Sequence, residues 1–288
     1  MPDPNSLSYR RFRRTNSSFN ARSSLLVFPL FLLLFFGCAT TSETPEQQID
    51  RLLEVTDMRR EIQQLPAFIQ EEIAGAPDSL IALRQARLAQ ILLDAYRPVQ
   101  VLTALKTYLA TSHQKDHATA LLSSLSVPLA NRIRTSEQAA DQEKGDESRD
   151  AFALKMEQSP PSEARMKLVT SYAQTTGRLD LATEMVVSVM RTYYTVTSTI
   201  AEKDSLDTDV LEIMMATMET DINQGLNELF LLNTLYAFRD ISDDDIKAYT
   251  ELWETPEGQW FVETSGTGLR RALAISGRQA LDRAKAER

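Results

Sequence analysis

From Gln47 onward, apolar residues recur at steps of three and four, the spacing that lines one face of an α-helix. Ile49, Leu52 and Leu53 begin one such stripe. Leu80, Leu83, Leu88, Ile91 and Leu92 form the next, with Arg87 on the same face. Leu102, Leu105 and Leu109 follow Pro98, which suits a first helical turn because its missing N–H leaves no bond unmade there. Val186, Met190, Tyr193, Thr197 and Ile200 mark a long helix. Val210, Met214, Met218, Ile222, Gly225, Leu229 and Leu232 mark another. No sustained apolar–polar alternation and no Asn-Gly or Asp-Gly pair argues for strands. Only 9 Gly in 288 residues leaves few flexible hinges. The predicted fold class is all-α, with antiparallel helices joined by short turns.

Residues 141–150 (DQEKGDESRD) are charged and almost free of apolar side chains, and Pro160 and Pro161 follow. The stretch 141–161 is therefore expected as a solvated linker or helix extension between two helical units, 47–140 and 162–288. The two units share a pattern. Leu125-Ser126-Val127-Pro128 follows a helix led by Asp116, and Trp253-Glu254-Thr255-Pro256 follows one led by Asp244, 128 residues later in both cases. Tyr108 meets Tyr236 at the same offset, and Val55-Thr56-Asp57 meets Thr175-Thr176-Gly177 at an offset of 120. An internal duplication of a helical unit is the expectation.

The second copy has a clear local logic. Ser242 can cap a helix whose first turn holds Asp243, Asp244 and Asp245, where the helix dipole favours carboxylates. Ile246, Tyr249, Thr250 and Trp253 then share a face. Thr255 caps a second helix with Pro256 at its first position, Gly258 allows close approach, and Trp260 and Phe261 supply large apolar groups. The stretch 238–261 resembles the C-terminal signature of the bacterial family called domain of unknown function 2059. Leu52-Leu53-Glu54-Val55-Thr56 and Leu65-Pro66-Ala67-Phe68-Ile69 resemble its N-terminal helices. The resemblance covers residues 47 to about 279 and implies a secreted or periplasmic all-α protein, with no catalytic residues to carry over. The first copy departs from the signature, with Leu125 for Trp253 and Leu129-Ala130 for Glu257-Gly258.

The N-terminus changes the picture. Arg10, Arg11, Arg13, Arg14 and Arg22 precede an apolar run of 12 residues, Leu25 to Phe36. As helix that run spans about 18 Å, short of a hydrocarbon core of about 30 Å, which suits a signal peptide better than a membrane span. Cys38, the only Cys, follows Gly37. A small residue before such a Cys resembles the lipobox of bacterial lipoproteins, although Phe35 and Phe36 stand where Leu and a small residue are usual. The resemblance implies cleavage after residue 37, acylation of Cys38 and a tether at 38–46. Ala39 in place of Asp implies outer-membrane sorting, with the body facing the periplasm. Residues 1–37 carry a net +4, so a total of -9 leaves -13 on the rest. A body this acidic does not suit a nucleic acid partner.

The remaining chemistry is sparse. A single Cys excludes a disulfide framework and multi-thiolate zinc sites. His113 and His117 are spaced to share a metal with Asp116, but Gln114 stands where a zinc protease needs Glu, and Asp116 also reads as a helix cap. Helix capping accounts for Asp243-Asp244-Asp245 better than a calcium loop, and Gly266-Thr267-Gly268 reads as helix packing rather than a phosphate loop. Pairs such as Glu251 and Glu254 arise by chance among 40 acidic residues. No catalytic residue, metal ligand or cofactor is assigned. Tyr236, Phe238, Tyr249, Trp253, Trp260 and Phe261 are the candidates for a groove or interaction surface, with Met185, Met190, Met214, Met215 and Met218 as adaptable apolar contacts. The expected function is a non-enzymatic interaction or ligand-binding module, with an envelope protein or a hydrophobic ligand as partner. The alternatives are a carboxylate-based hydrolase of cell-envelope material and a structural spacer.

Overall fold

The computed structural model describes residues 43–74, 82–142, 146–201 and 208–286. The expected signal segment at 1–37, the lipidated Cys38 and the first residue of the Leu80 stripe lie outside these. Among the described residues all regular structure is helical, in thirteen helices. They are α1 (Pro45–Val55), α2 (Met58–Gln63), α3 (Leu65–Ala74), α4 (Ala82–Ala95), α5 (Pro98–Thr111), α6 (Lys115–Ser124) and α7 (Pro128–Gln142) in the first half. The second half holds α8 (Asp146–Gln158), α9 (Glu163–Thr176), α10 (Arg178–Ala201), α11 (Thr208–Ala237), α12 (Asp243–Trp253) and α13 (Pro256–Ala286). None is long and apolar enough to cross a membrane.

Local chemistry sets the helix ends. α1, α5, α7 and α13 each begin at a Pro. Thr44 caps α1 and Gln47 reaches back to its N–H, so the helix starts inside the expected tether. The Ser242 hydroxyl accepts from the Asp245 amide at 3.2 Å, and the Thr255 hydroxyl from the Gly258 amide at 3.2 Å, as the sequence predicts. The expected cap at Asp116 is absent: α6 starts at Lys115 with Gln114 as its cap residue, which places Asp116 inside the first turn.

The described residues form one compact unit, and a single buried cluster runs from Ile49 to Ala284. The stretch 141–161 therefore does not separate the halves into distinct bodies, and α8 occupies most of it. α13 is the common axis, packed against α10 and α5 and also against α4 and α6. Its buried face is mostly small: Gly258, Ser265, Gly266, Gly268, Ala272, Ser276, Ala280 and Ala284. A Cβ on Gly268 would sit 2.8 Å from both Leu105 and Tyr108 of α5. The two helices meet more closely than a larger residue permits. The stripe on α11 is only partly covered: Val210 and Leu229 are about half exposed (51% and 52%), as is neighbouring Ile213 (69%). Its periodicity comes from the helix, and no described neighbour covers that part of its surface.

The predicted offsets recur in three dimensions. α6 and α12 start 128 residues apart, as do α7 and α13. Ala118, Leu121, Leu122, Leu125, Ala130 and Ile133 are buried, and so are their counterparts Ile246, Tyr249, Thr250, Trp253, Gly258 and Phe261. At the offset of 120, Ile49, Leu52 and Leu53 are buried as are Val169, Tyr172 and Ala173. The hydroxyls of Thr56 and Thr176 donate to the carbonyls of Leu52 and Tyr172, four residues back in each case. Asp57 (φ 58°) and Gly177 (φ 64°) follow, and no other described residue has left-handed backbone. The halves differ in length, since α11 has 30 residues where α5 has 14.

Two glycines give opposite expectations. Gly268→Ala should destabilise by about 1–3 kcal/mol, through forced separation of α13 and α5. Gly225→Ala, with nothing within 4 Å of the new methyl, should stabilise by up to about 1 kcal/mol through helix propensity. Chemical denaturation of both variants checks this, and equal effects would remove the close-packing account.

Candidate functional site

The six aromatics proposed as a groove do not line an open one; Tyr249, Trp253 and Phe261 border only a small pocket of about 20 Å³. Tyr236, Phe238, Tyr249, Trp253 and Phe261 are buried, and Trp260 is half-buried against the same core. α12 folds onto α9, so its face with Tyr249 and Trp253 closes toward Tyr172. Tyr172 packs in tilted contacts against Phe238 (centroids 5.2 Å apart) and Tyr249 (5.9 Å), and the chain continues through Trp253 to Phe261. Arg165 fixes the entry to α12: it donates to the Ile241 and Phe238 carbonyls and pairs with Asp243.

The histidines diverge. His113 Nε2 bonds Gln48 Oε1 at 2.9 Å, while the His117 ring stacks on Trp260 at 5.9 Å. Among the described residues no cluster of three or more His, Cys, Asp or Glu side chains is placed to hold a metal. Glu251 and Glu254 are exposed on the outer surface. Met215 is fully buried and Met185 nearly so, in keeping with core packing.

The polar constellation lies elsewhere. Arg178, the residue after the Gly177 turn, sits where α10 meets the first half. Its Nη1 donates to Glu137 Oε1 at 2.6 Å and to the Tyr172 hydroxyl at 3.1 Å, and its Nη2 to Glu61 Oε1 at 3.0 Å. Tyr172 in turn donates to Glu137 at 2.7 Å. Burial works against the Arg178 charge, but Glu137, Tyr172 and Glu61 outweigh it and the guanidinium stays protonated. Burial pushes the Tyr172 hydroxyl well above its usual 10.0, and neighbouring Glu137 adds to the shift. Burial also lifts the Glu61 carboxyl above its usual 4.5, against the pull of Arg178. An enclosed space of about 20 Å³ beside this group, bordered by Asp57, Thr176 and Ser265, has room for one water.

An open cleft of about 490 Å³ adjoins the network. The first half contributes Arg60, Glu61, Gln64, Glu137 and Asp141, and α8 contributes Arg149. α10 and α11 form the rest of the wall, with Met185, Leu226, Leu229, Phe230 and Asn233 among the residues there. Arg60 pairs with Asp141 at 2.6 Å and Asp57 at 3.4 Å. Four buried polar atoms of the cleft residues, the Nε of Arg60, Arg149 and Arg178 and the Oδ1 of Asn233, have no hydrogen-bond partner among the described residues. Sequence reasoning singled out none of these charged residues. One signal pointed toward them: Asp57 and Gly177, which end the offset-120 match, stand immediately before α2 and Arg178.

The fold and cleft define an all-α protein whose two halves enclose a mixed polar and apolar cleft along their shared core. Comparison of the chain with protein-family models, with curated proteins and with solved structures returns no match.

Arg178→Met should destabilise by about 3–5 kcal/mol, because it strands Glu61 and Glu137 without their shared cation. Adding Glu61→Gln to that variant should restore some of the loss. For Glu61 itself the folded-state pKa exceeds the unfolded one, so the folded state binds the proton more tightly. Its stabilising contribution is fully present below about pH 4.5 and declines as pH rises through the raised value. Unfolding free energies measured across that window should show a smaller decline in Glu61→Gln than in the wild type. An unchanged slope would assign the titration to another group.

Proposed function

We propose that this protein is a non-enzymatic ligand-binding or interaction module, held in the bacterial cell envelope by acyl chains on Cys38 and facing the periplasm from the outer membrane. The observation that carries the binding function is the 490 Å³ cleft between the two halves. Its size falls in the range of about 300–1,000 Å³ typical of small-molecule sites, and it combines an apolar flank with converging charges. Incompletely partnered arginines at its wall favour recognition over packing alone. The anchoring element of the proposal rests on the basic leader, the short apolar run and the Gly37-Cys38 pair. Kinship with the domain of unknown function 2059 rests on the signature at 238–261. The matched helix starts and burial patterns support an origin by internal duplication. The open cleft speaks against a plain spacer.

A hydrolase is the second reading, because Glu61, Glu137 and Asp141 converge on one cleft and burial raises Glu61. Against it, all three carboxylates are engaged by arginines. A general acid–base pair needs groups free to exchange protons with substrate.

Two experiments test the proposal. Cys38→Ser should release the protein from the membrane fraction or leave the precursor uncut, whereas unchanged processing and fractionation would refute lipidation. Ala182→Trp, which fills the cleft wall, should lose the small molecules or protein that co-purify with the wild type from envelope extract. Identical recovery with both chains would dismiss the cleft as the binding site, and turnover of bound material that depends on Glu61 would favour the hydrolase.

A further inference from the structure

The enclosed space of about 20 Å³ lies behind the open cleft. Glu61, Glu137 and Arg178 border both, so these three side chains form the partition between them. The other polar groups around the enclosed space come from distant parts of the chain: Asp57 before α2, Thr176 at the end of α9, Tyr249 and Trp253 of α12, and Ser265 of α13. Several of these are already engaged. Asp57 pairs with Arg60 and accepts from Gln138, and the Thr176 and Ser265 hydroxyls donate to the Tyr172 and Val262 carbonyls. Trp253 differs. It is only 5% exposed, and its Nε1–H makes no hydrogen bond among the described residues. Burial pushes the neighbouring Tyr249 hydroxyl up, Glu137 adds to the shift and the Trp253 indole opposes it. The hydroxyl therefore faces both groups, and the indole acts on it without closing a direct hydrogen bond.

The geometry points to one ordered water as the ligand of this cavity, accepting from Trp253 Nε1 and donating to the Glu137 carboxylate and the Tyr249 hydroxyl. The size fits one molecule and nothing larger, since a water needs about 10–15 Å³ of such space. The chemistry is more selective than the size. An indole N–H only donates and a carboxylate only accepts, so the molecule that links them must do both. Ammonium or a bare metal cation satisfies the carboxylate but cannot take the indole N–H. Three protein partners are the usual number for a buried water, and few buried donors in folded proteins go unpaired. The water ties α12 to α7 at the back of the partition. The cleft wall is thus supported by a hydrated joint as well as by the Arg178 ion pairs.

The test is nuclear magnetic resonance of the full chain in detergent micelles, ¹⁵N-labelled at tryptophan. Its 2 Trp residues give two indole signals, and Trp253→Phe assigns them. The Trp253 indole proton should show a cross peak to water whose rotating-frame sign is opposite to the diagonal, the mark of a long-lived dipolar contact. Tyr249→Phe should keep that peak, because the water touches the indole directly. Loss of the peak in this variant would assign it to relay through the tyrosine hydroxyl and overturn the proposal. If Tyr249→Phe fails to fold, pH decides on the wild type. A direct contact keeps its intensity as pH rises, whereas a relayed peak grows with base-catalysed hydroxyl exchange. A visible Trp253 signal with no water peak also overturns the proposal. So does replacement of the water peak by one to ammonium protons when ammonium chloride is added.

Discussion

Everything in this structure is arranged around the close approach of α13 to its neighbours. A helix of 31 residues runs through the shared core, and it reaches α5 and α10 because its buried face carries Gly, Ala and Ser where a typical core helix carries Leu and Ile. Gly268 rests on Leu105 and Tyr108, and Gly277 rests on Thr192 and Tyr96. Those contacts fix the spacing of the first half against the second. The large apolar volume then comes from the partners, such as Leu105, Tyr96 and Leu121, which are fully buried. One helix supplies the shape and its neighbours supply the apolar area that burial stabilises.

That spacing has a second consequence. With the halves held together along α13, Arg178 at the start of α10 reaches Glu61 of α2 and Glu137 of α7 and is held between them. Buried charge of this kind is weak support for stability, since desolvation offsets much of the attraction. Its effect is positional. It sets Glu61 at the edge of the cleft with only a share of a cation, and Tyr172 at the hub of the aromatic chain that closes the core. The cleft and the aromatic core are therefore two sides of one polar junction.

Much of the local structure is legible in the residues. The caps at Ser242 and Thr255, the prolines at helix starts and the buried face of α12 follow from short-range rules, because each depends on neighbours within one turn. The offsets of 128 and 120 are legible as faint identities and recur as matched burial and matched left-handed turns. The aromatics stand out in the sequence, but they belong to the core and not to a groove. Size and apolarity identify a residue that seeks cover, but the cover over Phe238 and Tyr249 comes from Tyr172 of α9, far away along the chain. The cleft charges are legible only indirectly, through the Asp57 and Gly177 turns that stand before α2 and Arg178. Arg60, Glu61, Glu137 and Arg149 look like any solvated charge along an amphipathic helix.

The sequence by itself determined the helical class, many of the helix ends and the chemical imbalance between a basic N-terminal stretch and an acidic remainder. These depend on periodicity, capping and composition, which are local or additive. Only the tertiary structure decided which charges meet. Arg178 is 117 residues from Glu61 and 41 from Glu137 along the chain. An ion pair at that separation depends on helix packing that no short pattern encodes. The same packing turned the most conspicuous aromatics into core and brought inconspicuous glutamates and arginines together on the cleft wall.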